Sequence, residues 1–102
     1  MIRTDDLFLA AFALARGGEL IGLDVQRTNG RRVAVFAIDG PGVEDAERDY
    51  FRGTTSVDVQ HLRVHVRRLK DRIFDALRAD ERRARMRRRD SEASSPATRR
   101  LT

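Results

Sequence analysis

The chain has 102 residues, 40% of them apolar and 36% charged, with no cysteine and a formal net charge of +5 at pH 7. The missing cysteine excludes disulfides and thiolate metal sites, and no apolar run approaches the roughly 20 residues of a membrane span. The charge is unevenly placed: residues 1–77 hold 12 basic and 12 acidic residues, whereas residues 78–102 hold nine arginines against four acids.

Thr4, Asp5 and Asp6 read as a helix start, with a capping hydroxyl followed by acids at the positive end of the helix dipole. Two acids ahead of a short apolar stretch are unlike the basic-then-apolar pattern of a secretory signal, so a cytoplasmic location is expected. Leu7 to Ala15 is apolar on every face, which predicts a central core helix covered on most sides. Gly17-Gly18 supplies the left-handed stop.

The period then changes from helical to two. Ile21, Leu23 and Val25 alternate with Gly22, Asp24 and Gln26, the pattern of a half-buried strand. Asn29-Gly30 suits the two positive φ angles of a type I′ turn. The return strand, Arg32 to Ile38, completes a hairpin. Asp39-Gly40-Pro41-Gly42 breaks it. Val43 to Arg52 predicts a short helix with Val43, Ala46, Tyr50 and Phe51 turned inward and an acidic outer face, ended by Gly53. Thr54-Thr55-Ser56-Val57 is β-prone and is a candidate third strand.

Asp58 is placed to cap a long final helix. Its apolar stripe is Val59, Leu62, Val66, Leu69, Ile73 and Ala76 or Leu77, widened by Phe74. Beyond Leu77 the stripe gives way to Arg82-Arg83-Ala84-Arg85-Met86-Arg87-Arg88-Arg89. Ser91 to Thr98 has the composition of a disordered tail. The expected fold class is α+β: a small antiparallel sheet packed against helices, in the order α-β-β-α-β-α. The expected organisation is a compact domain over 1–77, an Arg-rich helical extension over 78–90 and a disordered tail over 91–102.

The opening Thr4 to Phe12, the Ala15-Arg16-Gly17 helix stop and Val33-Ala34-Val35-Phe36 carry a resemblance, together with Tyr50-Phe51-Arg52-Gly53, Leu69-Lys70 and Ile73-Phe74. Over residues 4–77 the chain resembles an uncharacterised family of small bacterial and archaeal proteins, a domain of unknown function often met near plasmid and phage genes. That resemblance implies the same architecture and an association with mobile elements. It brings no activity, and the Arg-rich arm lies outside it.

Few residues suggest chemistry. His61 and His65 share one helix face at a spacing that can grip a divalent metal. However, Arg68 and Arg72 on that face would repel a cation, so no metal is assigned. The acids fall on helix faces and turns without convergence, Ser56 has no nucleophile motif, and Gly40-Pro41-Gly42 lacks the Lys-Ser/Thr of a phosphate loop. The expectation is a non-enzyme without cofactors.

The arginines point to a polyanion. Arg82, Arg83, Arg85, Arg87, Arg88 and Arg89 are expected to neutralise backbone phosphates of DNA or RNA, with Arg63, Arg67, Arg68 and Arg72 extending the surface upstream. No aromatic residue lies within the arm, so base stacking is not expected there. All basic residues but Lys70 are arginine, a bias that a GC-rich genome also produces. The clustering therefore carries the inference more than the residue type. The alternatives are a protein–protein adaptor binding an acidic partner or a structural subunit of a larger assembly, either using the helical surface, a solvated terminus, and a homodimer formed through the Leu7–Leu14 or Leu62–Leu77 surfaces.

Overall fold

In the computed structural model, which describes the backbone of residues 1–99 and the side chains of residues 1–90, the elements run β1 (Ile2–Thr4), α1 (Leu7–Ala15), β2 (Glu19–Thr28), β3 (Arg31–Asp39), α2 (Val43–Arg52) and α3 (Val59–Arg99). The protein is α+β, with a three-stranded antiparallel sheet in the order β1-β3-β2 and a long C-terminal helix. Residues 100–102, and with them the end of the predicted tail, lie outside the described residues.

The hairpin follows its turn chemistry. Asn29 and Gly30 have φ of 54° and 77°, the mirror-image turn that matches strand twist, and Thr28 pairs with Arg31 across it. Leu23 opposes Phe36 and Val25 opposes Ala34, so these residues share the face that carries the buried Phe36 and Ile38. Ile21 departs from the predicted alternation. Leu20 pairs with Ile38 and Gly22 with Ala37, which leaves Ile21 as the extra residue of a bulge and 54% exposed.

The third strand is the N-terminus, not Thr54–Val57. Ile2, Arg3 and Thr4 pair with Ile38, Ala37 and Phe36, and Ile2 is buried in the core. The element order is therefore β-α-β-β-α-α. Thr54, Thr55 and Ser56 are exposed connector, since the free edge of β3 is already taken. Three residues are too few to show a period, which is why β1 is silent in the sequence.

α1 is the central helix. Leu9, Ala10, Ala11, Phe12 and Ala13 are all buried, and the alanine run lets neighbouring elements approach closely. Its cap is Asp6 rather than Thr4: Asp6 Oδ1 accepts from the backbone N–H of Phe8 at 3.0 Å and of Leu9 at 3.1 Å. Thr4 Oγ1 instead accepts from the Asp6 N–H at 3.0 Å. Past the helix, Gly18 has no room for a side chain. A Cβ there would lie 2.8 Å from the Ala13 carbonyl oxygen and 2.9 Å from Ile38 and Val43 methyls.

α2 buries Val43 and Ala46 and ends at Gly53 with φ of 73°. Phe51 is not inward as predicted but 70% exposed; its ring makes an edge contact with Tyr50, which occupies the inward position. α3 starts at Asp58, whose Oδ1 accepts from the N–H groups of Gln60 and His61. Leu69 is its fully buried anchor, with Leu62, Val66 and Ile73 beside it. Phase explains why Phe74 stays out. One residue past Ile73 it is turned by about 100° from the core-facing stripe, and it is exposed. The helical backbone continues to Arg99.

Candidate nucleic-acid interface

The predicted arginines do not form one surface. Positions along α3 advance by about 100° each, and the ten residues spread around the helix.

On one side, Arg63 and Arg67 border an apolar groove with Lys70, Leu62, Val66 and, from α1, Phe8. On another, Arg68 and Arg72 line a shallow groove with His65, Leu14, Glu19 and Leu20. Arg82, Arg85 and Arg89 surround Met86 on the outer side, and Arg83 is exposed. The His61 and His65 rings lie 5.0 Å apart. Partial burial holds the His65 imidazole below its ordinary pKa, with the His61 and Arg68 charges adding to the effect. Among the described residues, no group of three His, Cys, Asp or Glu is arranged to hold a metal ion.

Convergence occurs where α3 runs beside the hairpin, further along the side that carries Arg63 and Arg67. The core-facing register of the hairpin does not stop at the apolar residues: Arg27 pairs with Arg32 on the same face as Leu23 and Phe36. Both guanidinium groups are thereby turned toward α3. Two like charges directly opposite on a strand pair destabilise it, and α3 answers with acids. Arg32 Nη2 donates to Glu81 Oε1 at 3.1 Å, and Arg32 Nη1 lies 3.6 Å from Asp80 Oδ2. These contacts hold the guanidinium above its ordinary pKa, the Glu81 hydrogen bond being the largest cause.

Arg27 has no acidic partner among the described residues. It opens instead onto a cleft of about 360 Å³ walled by Arg32, Glu81, Ala84, Arg85 and Arg88. A neighbouring hollow adds Arg87 to Arg27 and Arg88. Five arginines from β2, β3 and α3 thus border two adjoining hollows, with Asp80 and Glu81 engaged by Arg32.

No family model, curated protein or solved structure matches this chain. No helix among the described residues is long and apolar enough to cross a membrane.

Of the arginines around these hollows, Arg85, Arg87 and Arg88 are among those expected from the sequence, and Arg27 and Arg32 are not. The hairpin register, fixed by Asn29-Gly30, already places that pair on the helix-facing side. What it does not contain is that α3 runs beside the turn. The charge boundary at Leu77 also differs from the packing boundary: Asp80 and Ala84 are still partly buried against the hairpin.

Proposed function

We propose that the protein is a non-catalytic accessory protein that binds nucleic acid through phosphate contacts. The observation that carries the reading is the convergence of Arg27, on the hairpin, with Arg85, Arg87 and Arg88, on α3, around the cleft and its adjoining hollow. A guanidinium presents a planar fork matched to a phosphate's oxygens, and several such groups held by two packed elements lose less freedom on binding than the same groups on a loose tail. The residues Arg82, Arg83 and Arg89 extend the cationic field around the helix. The two carboxylates at the cleft, Asp80 and Glu81, are both engaged by Arg32, so the reading is one of binding.

The test is fluorescence anisotropy of a labelled oligonucleotide across a salt titration. Affinity should fall by orders of magnitude between about 50 and 200 mM salt, the signature of counterion release. Replacing Arg85, Arg87 and Arg88 together by serine should flatten the dependence of log K on log salt by about one for each arginine. Absent binding at low salt, or binding indifferent to salt, overturns the proposal. A defined oligomer or protein complex that persists through the same salt range, seen by size-exclusion with light scattering, would assign the surface to an adaptor role instead.

A further inference from the structure

Two exposed aromatic rings lie along the same side of α3 as the cleft. Arg63, Arg67, Lys70, Phe74 and Arg78 follow one another at spacings of four and three, which places them in one row on the helix surface. The row continues through Glu81 to Arg85 and Arg88, the two α3 arginines that wall the cleft. From Arg63 to Arg88 it spans about 37 Å at the helical rise. Phe74 stands in the middle of it, 60% exposed, and Phe8 of α1, 56% exposed, leans over its upstream end beside Arg63, Arg67 and Lys70.

A phenylalanine left in water forgoes the free energy of burying its ring. The third exposed phenylalanine, Phe51, rests edge-on against Tyr50. Phe8 lies beside Arg63, Arg67 and Lys70, and Phe74 stands between Lys70 and Arg78, the latter paired with Asp75 at 3.1 Å, a combination suited to a ligand that is anionic along its length and aromatic at intervals. A duplex has that composition but keeps its base faces stacked on one another. A single strand offers them free.

We infer that the row on α3 is a track for single-stranded nucleic acid, with bases stacking on Phe8 and Phe74 and phosphates meeting Arg63, Arg67, Lys70 and the cleft arginines. This inference rests on the nucleic-acid reading above. An acidic amphipathic peptide and a duplex are the competing occupants, and both are distinguished by the test.

The chain contains no tryptophan, so Phe74→Trp makes this position a private fluorescent reporter in the full-length protein. Oligothymidylate should quench the emission of the introduced indole saturably, whereas a fully paired duplex should not. Phe8→Ala and Phe74→Ala should each weaken oligothymidylate binding about tenfold, while the salt dependence keeps its slope because no phosphate contact is lost. Three results overturn the inference. Oligothymidylate bound in anisotropy with unchanged indole emission and unchanged affinity in both alanine variants leaves phosphate binding standing and removes the track. Equal quenching by duplex removes the preference for a single strand. Binding of neither nucleic acid, with quenching by an acidic amphipathic peptide, removes the nucleic-acid reading as well.

Discussion

Asp80 Oδ2 lies 3.6 Å from Arg32 Nη1, buried and without a hydrogen bond of its own. The separation is that of an ion pair and too long for a hydrogen bond. Asp80 therefore carries much of the desolvation penalty of a buried carboxylate while only partly compensated, and its main effect is on charge: it offsets one arginine of the cleft. Asp80→Asn keeps the side-chain size and removes that offset, while Glu81 continues to hold Arg32. The variant should melt within a few degrees of the parent in differential scanning fluorimetry. Its log K against log salt should steepen by about one phosphate contact. An unchanged slope would mean that Arg32 does not face the bound ligand.

The cleft also separates two arginines that look alike in the sequence. Arg27 is on the helix-facing side of the sheet, in register with Arg32. Arg3 pairs with Ala37 and so lies on the opposite face. Arg27→Ser should weaken binding uniformly across oligonucleotide sequences and lower the salt slope by about one. Arg3→Ser should leave both unchanged. The same anisotropy titration reads both variants.

These two arginines mark how far the sequence was legible. α1, the hairpin and α2, together with the start of α3, follow from local rules that act over a few residues: an all-apolar helix between the Thr4-Asp5-Asp6 start and a double glycine, an Asn-Gly turn, a Gly53 stop, and Asp58 before a three-four stripe; the cap of α1 itself is Asp6 in place of the expected Thr4. β1 is illegible because three residues show no period, and its strand character comes from the unpaired edge of β3. Ile21 is misread because a bulge shifts side-chain direction without changing composition. The cationic cleft depends on Arg27 and Arg85 meeting across the space between hairpin and α3, a distance that no spacing along the chain encodes. Charge clustering points to the contiguous arginines of the cleft and is silent on Arg27 and Arg32, which lie far from them along the chain.

The His65 environment makes stability depend on pH in a definite direction. Its folded pKa is lowered, first by burial and then by His61 and Arg68; Arg72 on α3 and Glu19 on β2 line the same groove. An unfolded chain takes up the proton near pH 6.5, so below that value the unfolded state binds more protons and gains on the folded one. Stability should be flat above about pH 7.5 and decline as pH falls through about 6.5 toward 5.5, before most carboxylates titrate. Urea midpoints measured across that window should fall in the parent and fall less in His65→Gln.

Gly18 is fixed by packing rather than by backbone torsion. The nearest atom to a Cβ there would be the backbone oxygen of Ala13, which also accepts the Gly18 N–H at 2.9 Å. That oxygen cannot retreat without disturbing the end of α1. Gly18→Ala should cost about 1–3 kcal/mol, the range for overfilling a packed site, seen as a lower urea midpoint at constant slope. At Gly17 there is open space but φ is 98°, so Gly17→Ala tests backbone strain alone and should lose about 1–2 kcal/mol.

Asp6 joins the start of α1 to α2. Its Oδ1 accepts the two helix N–H groups and lies 3.3 Å from the donating Tyr50 hydroxyl. Burial raises the Tyr50 pKa, and the Asp6 hydrogen bond and charge raise it further, which keeps the phenol protonated and donating throughout the neutral range. Asp6→Ala removes cap and acceptor together and should cost about 1–2 kcal/mol. Tyr50→Phe removes one modest hydrogen bond, about 1 kcal/mol or less, and leaves the Phe12 and Phe51 ring contacts in place. Because both changes delete the same bond, the double variant should be less destabilised than the sum of the singles, with a coupling of about 0.5 kcal/mol or more. Strict additivity in a urea double-mutant cycle would show that the cap and the tyrosine act independently, and that α2 is held to α1 by the Phe12–Tyr50 packing alone.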